Sequence, residues 1–406
     1  MVPDCSRRSL LSRRSALAGL ATGLVGLGAV RASGDDDSAS RDDSTLDWPM
    51  ARYDAAGIGY NPDAVGPKDD ARVAWRREPD EFSGGTSSPI LLGDTLYATG
   101  QVLLALDAAT GETRFAHEGS YRSSPAGSAA EAYDTETLAT AAPRGVYGLN
   151  AGGGLELFGR EFGVERWHGP GREPEFSVFG PPTVVPPVAV DGTVYASVPG
   201  TKHVVALDAS SGRELWRSSP GDELRRLAVR NGRVFAVNWP YRATAYDAAT
   251  GERLWRTDLD EQMVLAPTAT PEGVVVPHRT GVTLLDASDG SVRWRADHGG
   301  NATEGAAAVA EGTVYVQSDT GGGLHALDLD TGEQLWSAPD FSEGTPVVAD
   351  GVVYGRNYDE LVALDAADGS VRWRYESRLP VSTPAVGDGR LYVVAHDRIV
   401  ALEENR

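Results

Sequence analysis

The sequence predicts an all-β chain folded as a ring of eight four-stranded antiparallel blades, a β-propeller. Three observations predict it. A phrase made of an aspartate, a glycine four residues on and an aromatic four residues after that recurs along the chain. The 48 glycines and 24 prolines mark many turns, and no helical periodicity appears beyond residue 33. A lone strand near the N-terminal end matches a strand missing at the C-terminal end. A fixed phrase at a fixed period signals a repeat architecture, in which each unit buries its apolar face only against its neighbours.

The phrase reads "LLALDAATGETRFA" from Leu103, "VVALDASSGRELWR" from Val204, "ATAYDAATGERLWR" from Ala243, "VTLLDASDGSVRWR" from Val282, "LHALDLDTGEQLWS" from Leu324 and "LVALDAADGSVRWR" from Leu361. A weaker unit, "LFGREFGVERW", puts Gly159 in the aspartate place and Trp167 in the aromatic place. The C-terminal "IVALEENR" puts Glu403 there. Within a unit, "PVVA" before Asp350-Gly351, then "VVYG", "LVALD" and "SVRWRYE" read as four strands with hairpin turns between them. The aspartate bonds turn amides, the glycine takes positive φ, and the aromatic on the outer strand fills the wedge between blades. The docking aromatics are then Trp75, Phe115, Trp167, Trp216, Trp255, Trp294, Trp336 and Trp373. "ARVAWRREP", Ala71 to Pro79, has no blade before it and is expected to complete the last blade and close the ring. A seven-bladed ring with the weak unit as an insertion is the alternative.

Ahead of the ring, residues 1–32 read as a twin-arginine-type export signal. Arg7-Arg8 and Arg13-Arg14 precede an apolar stretch from Ala16 to Val30, too short for a membrane span. Cleavage after Ala32 leaves a chain with no transmembrane segment, destined for the extracellular space or cell envelope; retention as an N-terminal anchor is the alternative. Residues 33–47 are an acidic spacer, and 48–406 are the propeller. The one cysteine, Cys5, lies in the signal, so the mature chain has neither disulfide nor thiolate chemistry.

The charge is strongly acidic: 58 Asp and Glu against 37 Lys and Arg, a net −21, with only two lysines, Lys68 and Lys202. Such a surface repels phosphate backbones and excludes nucleic acid as a partner. Dense carboxylates with few lysines point to adaptation to high salt.

"ALDAATGE" followed by an aromatic, Ala105 to Phe115, resembles the tryptophan-docking repeat of quinoprotein-like propellers, the pyrroloquinoline-quinone (PQQ) repeat. The resemblance spans Trp48 to the C-terminus, and "WPMARYDAAGIGYNP", Trp48 to Pro62, resembles the segment that opens many such proteins. It implies either of two activities. Some members are PQQ- and calcium-dependent alcohol or sugar dehydrogenases; others are non-enzymatic binding scaffolds, among them a propeller lipoprotein of outer-membrane protein assembly. The dehydrogenases usually carry a vicinal cysteine disulfide against the cofactor, which this mature chain lacks. The reading is therefore a monomeric, non-catalytic binding or scaffold protein with no cofactor, its partner a protein, glycan or small ligand. A PQQ–calcium oxidoreductase is the alternative.

Binding on a propeller lives in the variable loops of one face. Aligning the units on the start of the inner strand places Glu304 and Glu343 at one position of adjacent blades, and Arg122 at the same position elsewhere. Two carboxylates at a channel mouth suit a cation or a basic partner group, and solvated loop charges are the plain alternative. Trp167, Phe176 and Phe179 lie in a proline-rich departure from the repeat, and Trp239 and Tyr241 in a variable loop; these form a candidate partner surface. Packing of the proline-rich segment over a blade edge is its alternative. Asn301 heads an Asn-Ala-Thr glycosylation sequon. The seven histidines show no metal-ligand spacing, and no catalytic triad or phosphate loop is present.

Self-repulsion of the acidic surface sets the first prediction. Thermal stability should rise steeply between dilute buffer and molar sodium chloride, measured as the unfolding midpoint. A flat response removes salt adaptation.

Overall fold

The computed structural model describes residues 47–85, 87–157, 160–171, 184–221, 224–238, 241–260, 264–318, 322–339, 341–342 and 344–405. Every regular element among them is a strand, and none of them forms a helix long and apolar enough to cross a membrane. Eight four-stranded antiparallel sheets are present. Their first strands are Ile90–Leu92, Ala126–Ser128, Val188–Val190, Leu224–Arg230, Thr268–Ala269, Ala308–Ala310, Val347–Ala349 and Ala385–Gly387, defining blades 1 to 8. First strands of neighbouring blades converge on one axis, and those of blades 1 and 8 touch, so the ring is closed. Central strands such as Glu360–Asp365 are buried on both faces apart from their ends, while outer strands such as Val371–Glu376 alternate.

The aspartate phrase works as a docking joint. Asp107 Oδ1 accepts from the amides of Ala109 and Thr110 and from the Thr110 hydroxyl, holding the turn. Arg114 bonds its other oxygen at 2.8 Å, and these bonds push the carboxyl down to about 2. The outer-strand indole of the preceding blade then lands on that turn. Nε1 of Trp75, Trp167, Trp216, Trp255, Trp294 and Trp336 donates to the carbonyls of Ala108, Ala209, Ala248, Ala287, Leu329 and Ala366 at 2.8–3.0 Å. The ring lies flat on the turn glycine. At Gly251, with φ +72°, a Cβ would sit 2.5 Å from the Trp216 ring, so both backbone conformation and space require glycine.

Blade 2 departs from the phrase. Gly159, which sequence spacing puts in the aspartate place, lies outside the described residues. Asn150 does the aspartate's work: its Oδ1 accepts from the Gly152 amide at 3.0 Å and its Nδ2 donates to the Gly153 carbonyl at 2.6 Å. A hairpin of Leu155–Leu157 and Arg160–Phe162 is inserted between this turn and the outer strand Glu165–His168. Counting back from Trp167 therefore ends inside the hairpin.

Strand Ala71–Arg77 pairs with Arg398–Glu404, with Trp75 opposite Ala401, and is the outer strand of blade 8. The segment before it supplies more than that strand. Blade 8 has no third turn, and Pro67 takes its place: the Pro67 carbonyl accepts from Trp373 Nε1 and from the Tyr354 hydroxyl, each at 3.0 Å. The Glu404 carboxylate accepts from the amides of Lys68, Asp69 and Asp70.

Further upstream, Trp48–Gly59 crosses the axis. Trp48 exchanges backbone bonds with Leu91 of blade 1. Pro49, Ala55, Ala56, Ile58 and Gly59 carbonyls accept from Gly127, Val229, Ala269, Val309 and Val348, and Met50 Sδ meets the Ala189 amide. The leader thus bonds the first strands of blades 1 to 7 and stoppers the channel near their hairpin turns.

Two features of the packing carry predictions. Phe115 stands on Gly153 where other blades use tryptophan, and among the described residues the Tyr97 hydroxyl alone donates to the Ala151 carbonyl, at 2.8 Å. A cleft of about 400 Å³ remains beside it, lined by Leu92, Arg114, Phe115 and Glu136 among others. Phe115→Trp should fill part of that cleft and raise stability by about 1 kcal/mol in denaturant unfolding; a loss would show that the wedge is closed to an indole.

Between blades 5 and 6, His278, His298 and His325 are 1%, 5% and 6% exposed. The His298 and His325 rings stack at 5.7 Å, and each leaves Nε2 without a partner. Burial pushes His278 and His298 from 6.5 down to about 4 and lowers His325 as well. The folded protein holds these rings neutral while the unfolded chain protonates near pH 6.5. Their contribution is complete above that pH and is lost as pH falls towards 4. Chemical-denaturation midpoints should therefore fall from pH 6.5 to 4, and a His278→Gln, His298→Gln, His325→Gln triple variant should flatten that slope.

Candidate functional site

The leader gives the channel a floor, so the opposite end is a blind funnel. Its cavity of about 300 Å³ is lined by Arg52 on the floor and by residues at the entry to six first strands. The walls include Ser88, Arg122, Ser124, Arg226, Glu304, Thr345 and Arg356. No aromatic ring lines it among the described residues.

Each arginine is set by a different local device. Arg52 rides on the leader and is 6% exposed. Its Nη1 donates to the Pro267 carbonyl at 2.8 Å and to Thr268 Oγ1 at 3.4 Å, and its Nη2 to the Leu227 carbonyl at 3.2 Å. These acceptors are neutral. Burial and the neighbouring Arg226 push its guanidinium down to about 9. Arg226 follows a register shift between Leu224 and Arg226 in the first strand of blade 4, a bulge that re-aims a side chain. Burial lowers its pKa too, with Glu304 raising it and Arg356 lowering it. Arg356 closes the second strand of blade 7, Val352–Asn357, and its Nη2 bonds Glu304 Oε1 at 2.5 Å.

Of the mouth residues expected from sequence, Arg122 and Glu304 line the funnel, and Glu343 lies outside the described residues. Glu304 is not a bare carboxylate but the partner of Arg356. Trp167 is 6% exposed and docked on blade 3, which takes it off the partner surface and leaves it a packing residue. Tyr241 is 40% exposed. Phe176, Phe179 and Trp239 lie outside the described residues, as do Arg7, Arg8, Arg13 and Arg14. Asn301 Oδ1 accepts from Arg279 Nε at 2.6 Å. Among the described residues, no three His, Cys, Asp or Glu side chains group as metal ligands. Sequence reasoning missed Arg52, Arg226 and Arg356.

A second cavity, about 360 Å³, opens between blades 1 and 2. It shares Arg122 with the funnel and includes Tyr121, Tyr147, Arg144 and Glu165. Tyr147 stacks on His168 at 4.3 Å.

Residues 200–339 and 320–405 match the family model described as outer membrane protein assembly factor BamB. The fold is similar to that of BamB from Moraxella catarrhalis, with TM-score 0.63 and 15% identity over 82% of this chain and 99% of that one. It is also similar to quinohemoprotein alcohol dehydrogenase from Comamonas testosteroni, with TM-score 0.68 and 15% identity over 92% of this chain and 83% of that one. The computationally designed Ika8 protein aligns with TM-score 0.64 and 14% identity, over 84% of this chain and 100% of that one. At such identities these likenesses show the fold alone. No protein of curated function matches the sequence.

Proposed function

Because the chain belongs to the PQQ-repeat propeller family of the outer membrane protein assembly factor BamB, we propose that it is a non-catalytic binding or scaffold propeller, exported through its twin-arginine-type signal, whose partner meets the funnel face. The charge of the funnel carries this reading. Four guanidiniums line the cavity against one described carboxylate, and that carboxylate is already paired. Calcium needs six to eight oxygen ligands, several of them anionic. A wall of arginines repels a dication, and no ring stands among the described lining residues for a planar quinone to stack on. PQQ with calcium therefore does not fit these residues. The variable loops and the cavity between blades 1 and 2 open beside Arg122, which supports this face as the contact surface for a protein, glycan or small ligand.

The competing oxidoreductase reading is tested by titrating the protein with PQQ and calcium, then assaying dye reduction with alcohols and sugars. The expected result is no absorbance shift and no turnover. A shift with turnover overturns the non-catalytic reading.

A further inference from the structure

We propose that the axial funnel is a binding site for a small oxyanion carrying two or more negative charges, a polycarboxylate or a phosphate, seated on the guanidiniums of Arg226 and Arg122 above Arg52. The proposal rests on the funnel face being the binding face and gives that face its ligand chemistry.

The chain carries net charge −21, yet four arginines from three distant blades and the leader converge on one cavity. Arg356 is neutralised by Glu304. The other three form no ion pair among the described residues, and Asp54 and Glu304 offset Arg52 and Arg226 only in part. Arg52 is held by two carbonyls and a hydroxyl, which satisfy its donors without cancelling its charge. Arg226 and Arg122 line the cavity, and neither guanidinium donates a hydrogen bond or forms an ion pair among the described residues. Arg226 depresses the protonation of Arg52 and Arg356 that of Arg226, with only partial offsets from Asp54 and Glu304. Arg52 is buried, Arg226 half-buried and Arg122 exposed at the mouth, and like charges gathered at such a partly buried site are costly unless something compensates them. A neutral ligand leaves that repulsion in place, and a cation adds to it. A single negative charge offsets only one guanidinium of three.

The donors suit oxyanions. Guanidinium forks bind carboxylate and phosphate through paired, charge-assisted bonds. Ser88, Ser124 and Thr345 bring hydroxyls to the same walls. About 300 Å³ admits a molecule of small-metabolite size.

Isothermal titration of the full exported chain with citrate, inorganic phosphate and acetate, at low and at molar sodium chloride, tests this. Citrate or phosphate should bind one to one at low salt, raise the unfolding midpoint, and bind at least about tenfold tighter than acetate. Which of the two binds tighter separates a carboxylate from a phosphate ligand. Arg226→Met should weaken binding about tenfold or more. Without ligand, the same variant should melt at or above wild type, because it removes the like charge beside Arg52. Arg122→Ser, on a different blade, should give a similar loss of binding and stands as the readout if Arg226→Met fails to fold. Absence of binding by both probes, an equal effect from chloride or acetate, or unchanged affinity in both variants overturns the proposal. Those results leave the scaffold reading standing, and turnover with PQQ and calcium overturns the scaffold reading while leaving the oxyanion site.

Discussion

Six of the eight blade junctions are tied by the same contact: an indole N–H donated to the carbonyl that follows the turn aspartate, with the ring face laid on the turn glycine. The contact joins an outer strand to the turn of the next blade, so it sets the angle between blades as well as their spacing. One hydrogen bond of this kind contributes about 1 kcal/mol net, and the buried ring contributes more. Repeated around a closed ring, it also removes the free ends that an open array would expose. Phe115 keeps the ring contact and lacks the indole bond, leaving the Tyr97 hydroxyl as donor to a carbonyl that Tyr195, Tyr315 and Tyr392 share with an indole in other blades. The joint therefore tolerates loss of the indole donor while the flat ring stays on glycine.

The leader solves the two places where a repeat cannot complete itself. Blade 8 lacks both an outer strand and a third turn, and residues 66–77 provide both: Pro67 accepts from Trp373, and Trp75 docks on blade 1. The axis of a ring is the other weak point, because first strands converge there with one edge unpaired. Residues 48–59 run along those edges and take up their amides one blade after another.

Much of this was legible because it is periodic. Trp75 was found as a docking residue because "ARVAWRR" repeats the outer-strand pattern, and its pairing with Glu404 to Ile399 follows from the strand missing at the other end. Asn150 was hidden by the inserted hairpin, which broke the count between turn and aromatic. The funnel was half legible. Alignment on the inner-strand start brought out Arg122 and Glu304, which occupy equivalent places. Arg226 escaped because a bulge turns it towards the axis two residues after the aligned position, Leu224. Arg52 escaped because the path of the leader across the axis is set by hydrogen bonds to seven different blades and leaves no mark in any local pattern.

The two ends of the axis are opposite in electrostatic design. At the turn end, the repeated aspartates face amide donors with a serine or threonine hydroxyl or an arginine, and their carboxyls are held below the usual range by those bonds. At the funnel end, arginines outnumber carboxylates among the described residues, and the deepest of them belongs to the leader. The residue that floors the cavity thus sits on the segment that closes the ring. Arg52 reaches blades 4 and 5 through Leu227, Pro267 and Thr268, and Gly57 packs against its guanidinium, where any Cβ would fall 2.4 Å from Cζ. Placing that charge correctly requires the leader to be threaded, and threading the leader requires the first strands to be in register. The funnel exists only in the closed ring, so its charge is a property of the completed fold rather than of any single blade.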